Sequence, residues 1–141
     1  YSSFYRALPV VLLAVGIIYF RAAEYNLLST GDIPARSRGV NVDANRLWTY
    51  IGASLAVAAV VSVCGPIGFV GLIVPHSVRL IVGADHRVLI PVSLLTGGGF
   101  LVVCDTIART ALAPAELPVG VLTAIIGGPF FLSILLKKRP F

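Results

Sequence analysis

The chain has 141 residues, 57% hydrophobic and only 12% charged, with a formal net charge of +5 and a mean hydropathy of +0.95. Average soluble domains carry roughly 25% charged residues, so this composition excludes one and describes a membrane protein whose solvent is lipid. The positive charge is therefore no sign of a nucleic-acid partner; it has to be sorted loop by loop.

The chain opens on YSSFYRALPVV with neither an initiator Met nor a basic leader, which predicts that it starts partway through a longer protein. The first apolar span is expected over about residues 5–20. After a polar segment, the next uncharged stretch runs from Arg46 to Arg79. As one helix it would extend about 50 Å, against a hydrocarbon core of about 30 Å. The motif CGPIGFVG supplies a break: Pro66 has no amide donor and clashes with the preceding turn, while Gly65, Gly68 and Gly71 permit a reversal and close helix contact. Two spans follow, about residues 46–64 and a shorter one at 69–82. Further spans are expected at about 88–109 and 117–136. Both are glycine-rich: Gly97, Gly98 and Gly99 lie in the former, Gly127, Gly128 and Pro129 in the latter. They read either as close packing against neighbouring helices or as breaks lining an aqueous path. Cys64 and Cys104 sit in apolar runs without metal-ligand spacing and read as buried, inert thiols, so no metal site is expected.

Charge asymmetry supports five spans. With five, Arg21, Arg36, Arg38, Arg46, Arg79, Arg87, Lys137, Lys138 and Arg139 fall on one side, opposite only Arg6 and Arg109. With four, the bias vanishes. Basic loops stay in the cytoplasm, so the first span is expected to run inward and the C-terminus to be cytoplasmic. Trp48, Tyr50 and Tyr5 suit interfacial anchoring.

The segment 21–45 is then cytoplasmic and too long for a simple connector. Asp32 is expected as the N-cap of a short helix with Pro34 in its first turn, and Gly39 as its left-handed C-terminal cap. So short a helix is unstable alone in water and needs a docking surface. The alternative is a solvated, structureless loop.

TGDIPARSRGV, GPIGFVGLIVPHSVRLIVGADHRVLIPVSLLTGG, CDTIART and AELPVGVLTAIIGGPFF, in that order, resemble the FecCD-type permeases of bacterial ATP-driven importers for iron-siderophore, haem and cobalamin. The resemblance covers essentially the whole chain. It implies an all-α, polytopic transmembrane bundle, the C-terminal half of a ten-span type II importer permease in the inner membrane, treated as one permease domain over 1–141. It implies that the loop at about 21–45 carries coupling helices gripped by a cytoplasmic ATPase dimer, through Gly31, Asp32, Ile33, Pro34, Ala35, Arg36, Gly39 and Val40. Many members have Glu at the position of Asp32 and an apolar residue at that of Arg38. The remaining implied partners are a second permease subunit and a periplasmic or lipid-anchored binding protein. ATP and Mg²⁺ would bind the partner ATPase, and this chain would bind no cofactor.

Arg109 corresponds to an outer-face arginine that docks the binding protein; the bland reading is an i,i+4 pair with Asp105. Glu116 reads as an anchor of the outer loop. Asp85, His86 and Arg87 form a polar turn, either a second ATPase contact or a cap on the next span. His76 reads as a packing residue or, less plainly, a haem or proton site, and Arg79 as snorkelling to the boundary. The chain has no G-x-x-x-x-G-K-[ST], H-E-x-x-H or G-x-S-x-G sequence, which argues against an ATPase or intramembrane hydrolase. An ion-coupled carrier or channel remains the competing reading, although the charges gather at span ends.

Overall fold

The computed structural model describes residues 2–111 and 117–137. Those residues form helices α1 (Ser2–Phe20), α2 (Ala22–Leu28), α3 (Asp32–Ser37), α4 (Val42–Cys64), α5 (Val70–Val82), α6 (His86–Ala111) and α7 (Val119–Lys137), with no strand among them. An all-helical chain is the physical expectation, because in lipid a helix satisfies its backbone donors and acceptors internally. α1, α4, α6 and α7 are each long and apolar enough to cross a membrane. α5 is not: its 13 residues reach about 20 Å, short of a hydrocarbon core of about 30 Å. Among the described residues five apolar helices are therefore present, of which four have spanning length. The shortfall arises because residues 65–69 stay out of helical geometry and Gly83 stops the helix at the other end.

The chain divides into two compact units, Tyr1–Gly65 with Ala84–Ile90, and Pro66–Gly83 with Pro91–Phe141. In the first, α1 and α4 pack through small residues. Ala14 is fully buried, and the Gly52 backbone lies against the Ala14 carbonyl and the Ile18 side chain. Large apolar side chains such as Leu12, Phe20 and Tyr50 point outward, and so does Cys64 at the end of α4, against the expectation of burial that only Cys104 meets; this is the pattern of helices solvated by lipid or by other helices rather than by water.

The second unit is built around the break. α4 ends on Gly65, whose N–H still reaches the Val61 carbonyl at 2.9 Å. Phe69 then takes a left-handed conformation (φ 65°) and the Val70 N–H closes a tight turn on the Gly68 carbonyl at 2.8 Å. A left-handed phenylalanine costs energy and persists only where its surroundings hold it. Here α7 holds it. Gly120, Thr123 and Gly127 lie on one face of α7. A methyl group on Gly127 would overlap the Phe69 Cβ, and one on Gly120 would overlap the Pro66 carbonyl oxygen. Thr123 between them is fully buried and donates to the Gly120 carbonyl at 3.0 Å. Ile73, Val74 and Val78 form the buried stripe of α5, and the His76 ring meets Phe130 edge-on, with centroids 6.4 Å apart.

The glycine clusters do not break their helices. α6 runs through Gly97, Gly98 and Gly99, and α7 through Gly127, Gly128 and Pro129, without interruption. Only Gly97 and Gly127 of these glycines face another side chain, Val74 and Phe69 respectively; Gly128, like Gly71 in α5, meets nothing within van der Waals reach. Packing at selected positions is the outcome, since the continuous helix already satisfies the backbone and a break would have to be sealed some other way.

Gly127→Ala should destabilise the detergent-solubilised protein by about 1–3 kcal/mol, the usual cost of overpacking, read as a lowered thermal midpoint. Gly128→Ala, facing open space, should leave the midpoint unchanged, and equal melting of the two variants would rule out the Phe69 contact.

Candidate functional site

The polar end of the first unit carries a shaped, two-helix insert between α1 and α4. α3 starts from Gly31, the N-cap, which is itself non-helical at φ 115°; Asp32 is the first helical residue, not the cap, and Pro34 is the third. The correction follows from backbone geometry: the Ala35 N–H is taken by the Gly31 carbonyl at 3.2 Å, which begins the ladder one residue earlier than the side-chain pattern implies. The other end is a Schellman closure. The Gly39 N–H bonds to the Arg36 carbonyl at 3.0 Å and the Val40 N–H to the Ala35 carbonyl at 3.1 Å, with Gly39 left-handed at φ 84°.

Two ion pairs of opposite polarity fasten α3 to the first turns of α4. Arg46 Nη2 lies 3.0 and 2.9 Å from the two Asp32 carboxylate oxygens, and Arg36 Nη2 lies 3.0 Å from Asp43 Oδ2. Beneath them Ala35 and Val42 are completely buried. On the outer side, Ile33 is left 83% exposed, an isolated apolar side chain on a rigid polar scaffold.

α2, seven residues long, is held by side chains distant in sequence. Asn45, fully buried in α4, donates through Nδ2 to Glu24 Oε2, and Arg21 approaches the same oxygen at 3.4 Å. Thr49 Oγ1 donates to the Asn45 carbonyl at 2.7 Å. With that proton committed, the Tyr25 hydroxyl, also 2.7 Å from Thr49 Oγ1, is the donor to it. The third contact is to the turn before α6. Asn26 Nδ2 donates to Asp85 Oδ1 at 2.7 Å, while Asn26 Oδ1 accepts the His86 backbone N–H and approaches His86 Nδ1, each at 2.8 Å. An amide oxygen only accepts, so Nδ1 carries the proton. The His86 ring also lies against Tyr25, centroids 5.9 Å apart.

Asp85 caps α6: its Oδ1 accepts the Arg87 N–H at 3.0 Å and its carbonyl accepts Leu89 N–H at 2.8 Å. The Asn26 amide, then the Arg87 backbone N–H, hold its carboxyl below the usual carboxylate range. Of the two roles open to Asp85, His86 and Arg87, capping is the one realised within the chain. At the far end of α6, Arg109 Nε lies 2.9 Å from Asp105 Oδ2, so the i,i+4 pair forms. Glu116 lies outside the described residues. Among those residues no group of three His, Cys, Asp or Glu side chains comes together.

Known proteins resemble this chain in sequence and fold. Residues 1–137 match the FecCD transport family. The chain is 55% identical over 133 residues to the cobalamin import system permease protein BtuC of Halobacterium salinarum, covering 94% of this chain and 36% of that protein. It is 45% identical to the hemin transport system permease protein HmuU of Yersinia pestis (94% and 38%) and to the Fe(3+) dicitrate transport system permease protein FecD of Escherichia coli (94% and 42%). A solved inward-facing conformation of a metal-chelate type ABC transporter superposes with a TM-score of 0.88 at 34% identity, covering 97% of this chain and 44% of that one.

This chain belongs to the FecCD transport family. It spans well under half the length of the relatives it matches, and within the family its all-α, multi-pass character is plain from both composition and structure. The insert brings Gly31, Asp32, Ile33, Pro34, Ala35, Arg36, Gly39 and Val40 together on one short helix and its caps. What the sequence pattern does not reveal is the support: Glu24, Tyr25, Asn26, Asp43, Asn45 and Thr49. Their only signal is polarity beside an apolar span, and their partners lie up to 60 positions away.

A depressed Asp85 pKa means that its contribution is complete above the ordinary carboxylate value of about 3.9 and is lost only as pH falls through the lower, folded value. Protection of the Arg87 amide against hydrogen exchange should therefore persist at pH 4–5 and fall below that range, whereas Asp85→Ala should weaken it at every pH.

Proposed function

We propose that this chain is the C-terminal part of the permease subunit of an ATP-binding-cassette importer that moves an iron-siderophore, haem or cobalamin-type substrate from a periplasmic or lipid-anchored binding protein into the cytoplasm. The observation that carries the reading is the α2–α3 insert: a braced pair of short helices, in a FecCD-family chain, that presents Ile33 outward. A helix of six residues is too short to be stable in isolation, and bracing it so thoroughly makes sense if it must transmit force as a rigid piece.

In this reading the inner-membrane permease places α3 in a groove of a cytoplasmic ATPase dimer, which binds ATP and Mg²⁺, while this chain binds neither. Closure of that dimer pushes on Ile33 and the α3 backbone. The Asp32–Arg46 and Arg36–Asp43 pairs carry the displacement into α4, and the spans re-pack between inward-open and outward-open states. A second permease subunit completes the path. Arg109, whose guanidinium is oriented by Asp105, offers a charged contact to an acidic side chain of the binding protein, setting register more than affinity. In this topology the C-terminus is cytoplasmic.

Gly39→Val in the full-length permease would force a β-branched residue into left-handed geometry at a cost of about 1–3 kcal/mol. Reconstituted with its ATPase, it should lose most substrate uptake or fail to retain the ATPase, while still inserting in the bilayer. Normal uptake and a normal complex would remove the coupling role from α3. Arg109→Glu should weaken binding-protein association about tenfold or more, as expected for reversing one contact charge, and a compensating acidic-to-basic change on the binding protein should restore it.

A further inference from the structure

The insert does more than face outward, because its first helix is tied to a third element. We propose that Asn26 is a positioning residue: its carboxamide latches α2 to the start of α6, so that displacement of the coupling insert is delivered to α6 as well as to α4. The inference rests on the transport reading above and extends it to a residue and a route.

Three features support the latch. Both ends of the Asn26 amide are used, the nitrogen on Asp85 Oδ1 and the oxygen on the His86 N–H and Nδ1. The groups it engages are the N-cap carboxylate of α6 and the first backbone N–H of that helix, which has no partner within the helix itself. A displacement of α2 therefore pulls on the backbone of α6, rather than on a long, compliant side chain. α2 is at the same time fixed to α4 through Glu24–Asn45 and Tyr25–Thr49, so one seven-residue helix ties two spanning helices together at their polar ends. It also precedes α3 with only Ser29, Thr30 and Gly31 between them, where the Thr30 and Gly31 N–H groups bond back to Leu27 and Leu28. That link is short and internally bonded, so α2 and α3 move together.

The chemistry supplies a specific test. Asn26→Asp keeps the acceptor for His86 but sets a carboxylate against Asp85, breaking the latch by like-charge repulsion. Adding Asp85→Asn removes the like charge and reverses the polarity of the pair: Asp85 Oδ1 alone serves both Asn26 and Arg87 in the wild type, so the new amide has to turn about χ2 until its nitrogen donates to the new carboxylate and its oxygen accepts the Arg87 N–H. The full-length permease, assembled with its ATPase and loaded binding protein in proteoliposomes, is compared as wild type, N26D, D85N and N26D/D85N, following assembly, thermal midpoint, ATP hydrolysis and uptake. N26D is expected to keep the complex and its stimulated ATP hydrolysis while uptake falls about tenfold, the scale of one broken charge-assisted contact; the double variant is expected to return uptake to within about twofold of wild type. Loss of uptake with hydrolysis retained is uncoupling, which a merely structural role does not produce. Wild-type-like uptake by N26D, equal loss of uptake, hydrolysis and thermal stability, or no recovery in an intact double variant would each overturn the latch while leaving the importer reading standing. A wild-type complex whose ATP hydrolysis ignores the binding protein would overturn both.

Discussion

Lipid offers no hydrogen-bond partner, and this constraint decides where the chain is permitted to stop being helical. Between α4 and α5 the ladder is given up at Gly65–Phe69, where Pro66 has no N–H to satisfy and its carbonyl is covered by the Gly120 backbone. The price is a left-handed Phe69, and the bare face of α7 at Gly127 is what lets that residue keep its side chain against a neighbour. Had α7 carried alanine there, the turn and the helix could not both occupy their positions. Between α5 and α6, Gly83 ends one helix on the Arg79 carbonyl and Asp85 begins the next. These two departures from helix are shaped locally, the first by a residue lacking a donor and the second by a cap.

The insert between α1 and α4 obeys a different balance because its pairs are exposed. Solvent-exposed ion pairs contribute roughly 0.2–1 kcal/mol each, so Asp32–Arg46 and Arg36–Asp43 cannot by themselves hold a six-residue helix. Apolar burial of Ala35 and Val42 and the Schellman closure at Gly39 and Val40 supply most of the order. The ion pairs contribute direction: one runs acid to base and the other base to acid, so sliding α3 along α4 would separate both at once. The result is an element whose register is fixed while Ile33 on its outer face stays exposed.

Hydropathy made the long helices legible, with boundaries at α1, α4, α6 and α7 within a few residues of those expected, because an apolar run between charges leaves few alternatives in lipid. The break was legible for the same reason, since a run from Arg46 to Arg79 cannot cross as one helix. The short apolar helix was legible too: residues 69–82 were expected and Val70–Val82 is helical, although its 13 residues fall short of a hydrocarbon core of about 30 Å. The glycine clusters left packing and a break both open, because glycine permits a break without requiring one, and the structure keeps α6 and α7 continuous. α2 was invisible as a helix. AAEYNLL has too few residues to show a period, and it owes its stability to Asn45, Thr49, Asp85 and His86, pairings that only the folded chain creates.

Those pairings explain why position 26 suits an amide. Asp85 presents a carboxylate that must accept, and His86 presents a backbone N–H and a ring N–H that must donate. Lysine or arginine at position 26 would satisfy Asp85 alone, and serine is too short to meet both partners in this geometry. Glutamine carries the same groups on one more rotatable carbon, which loosens the geometry and costs more side-chain entropy to fix. Asn26 is therefore matched in both polarity and reach to the start of α6, and the match joins an insert shaped for outside contact to the helix that follows the break.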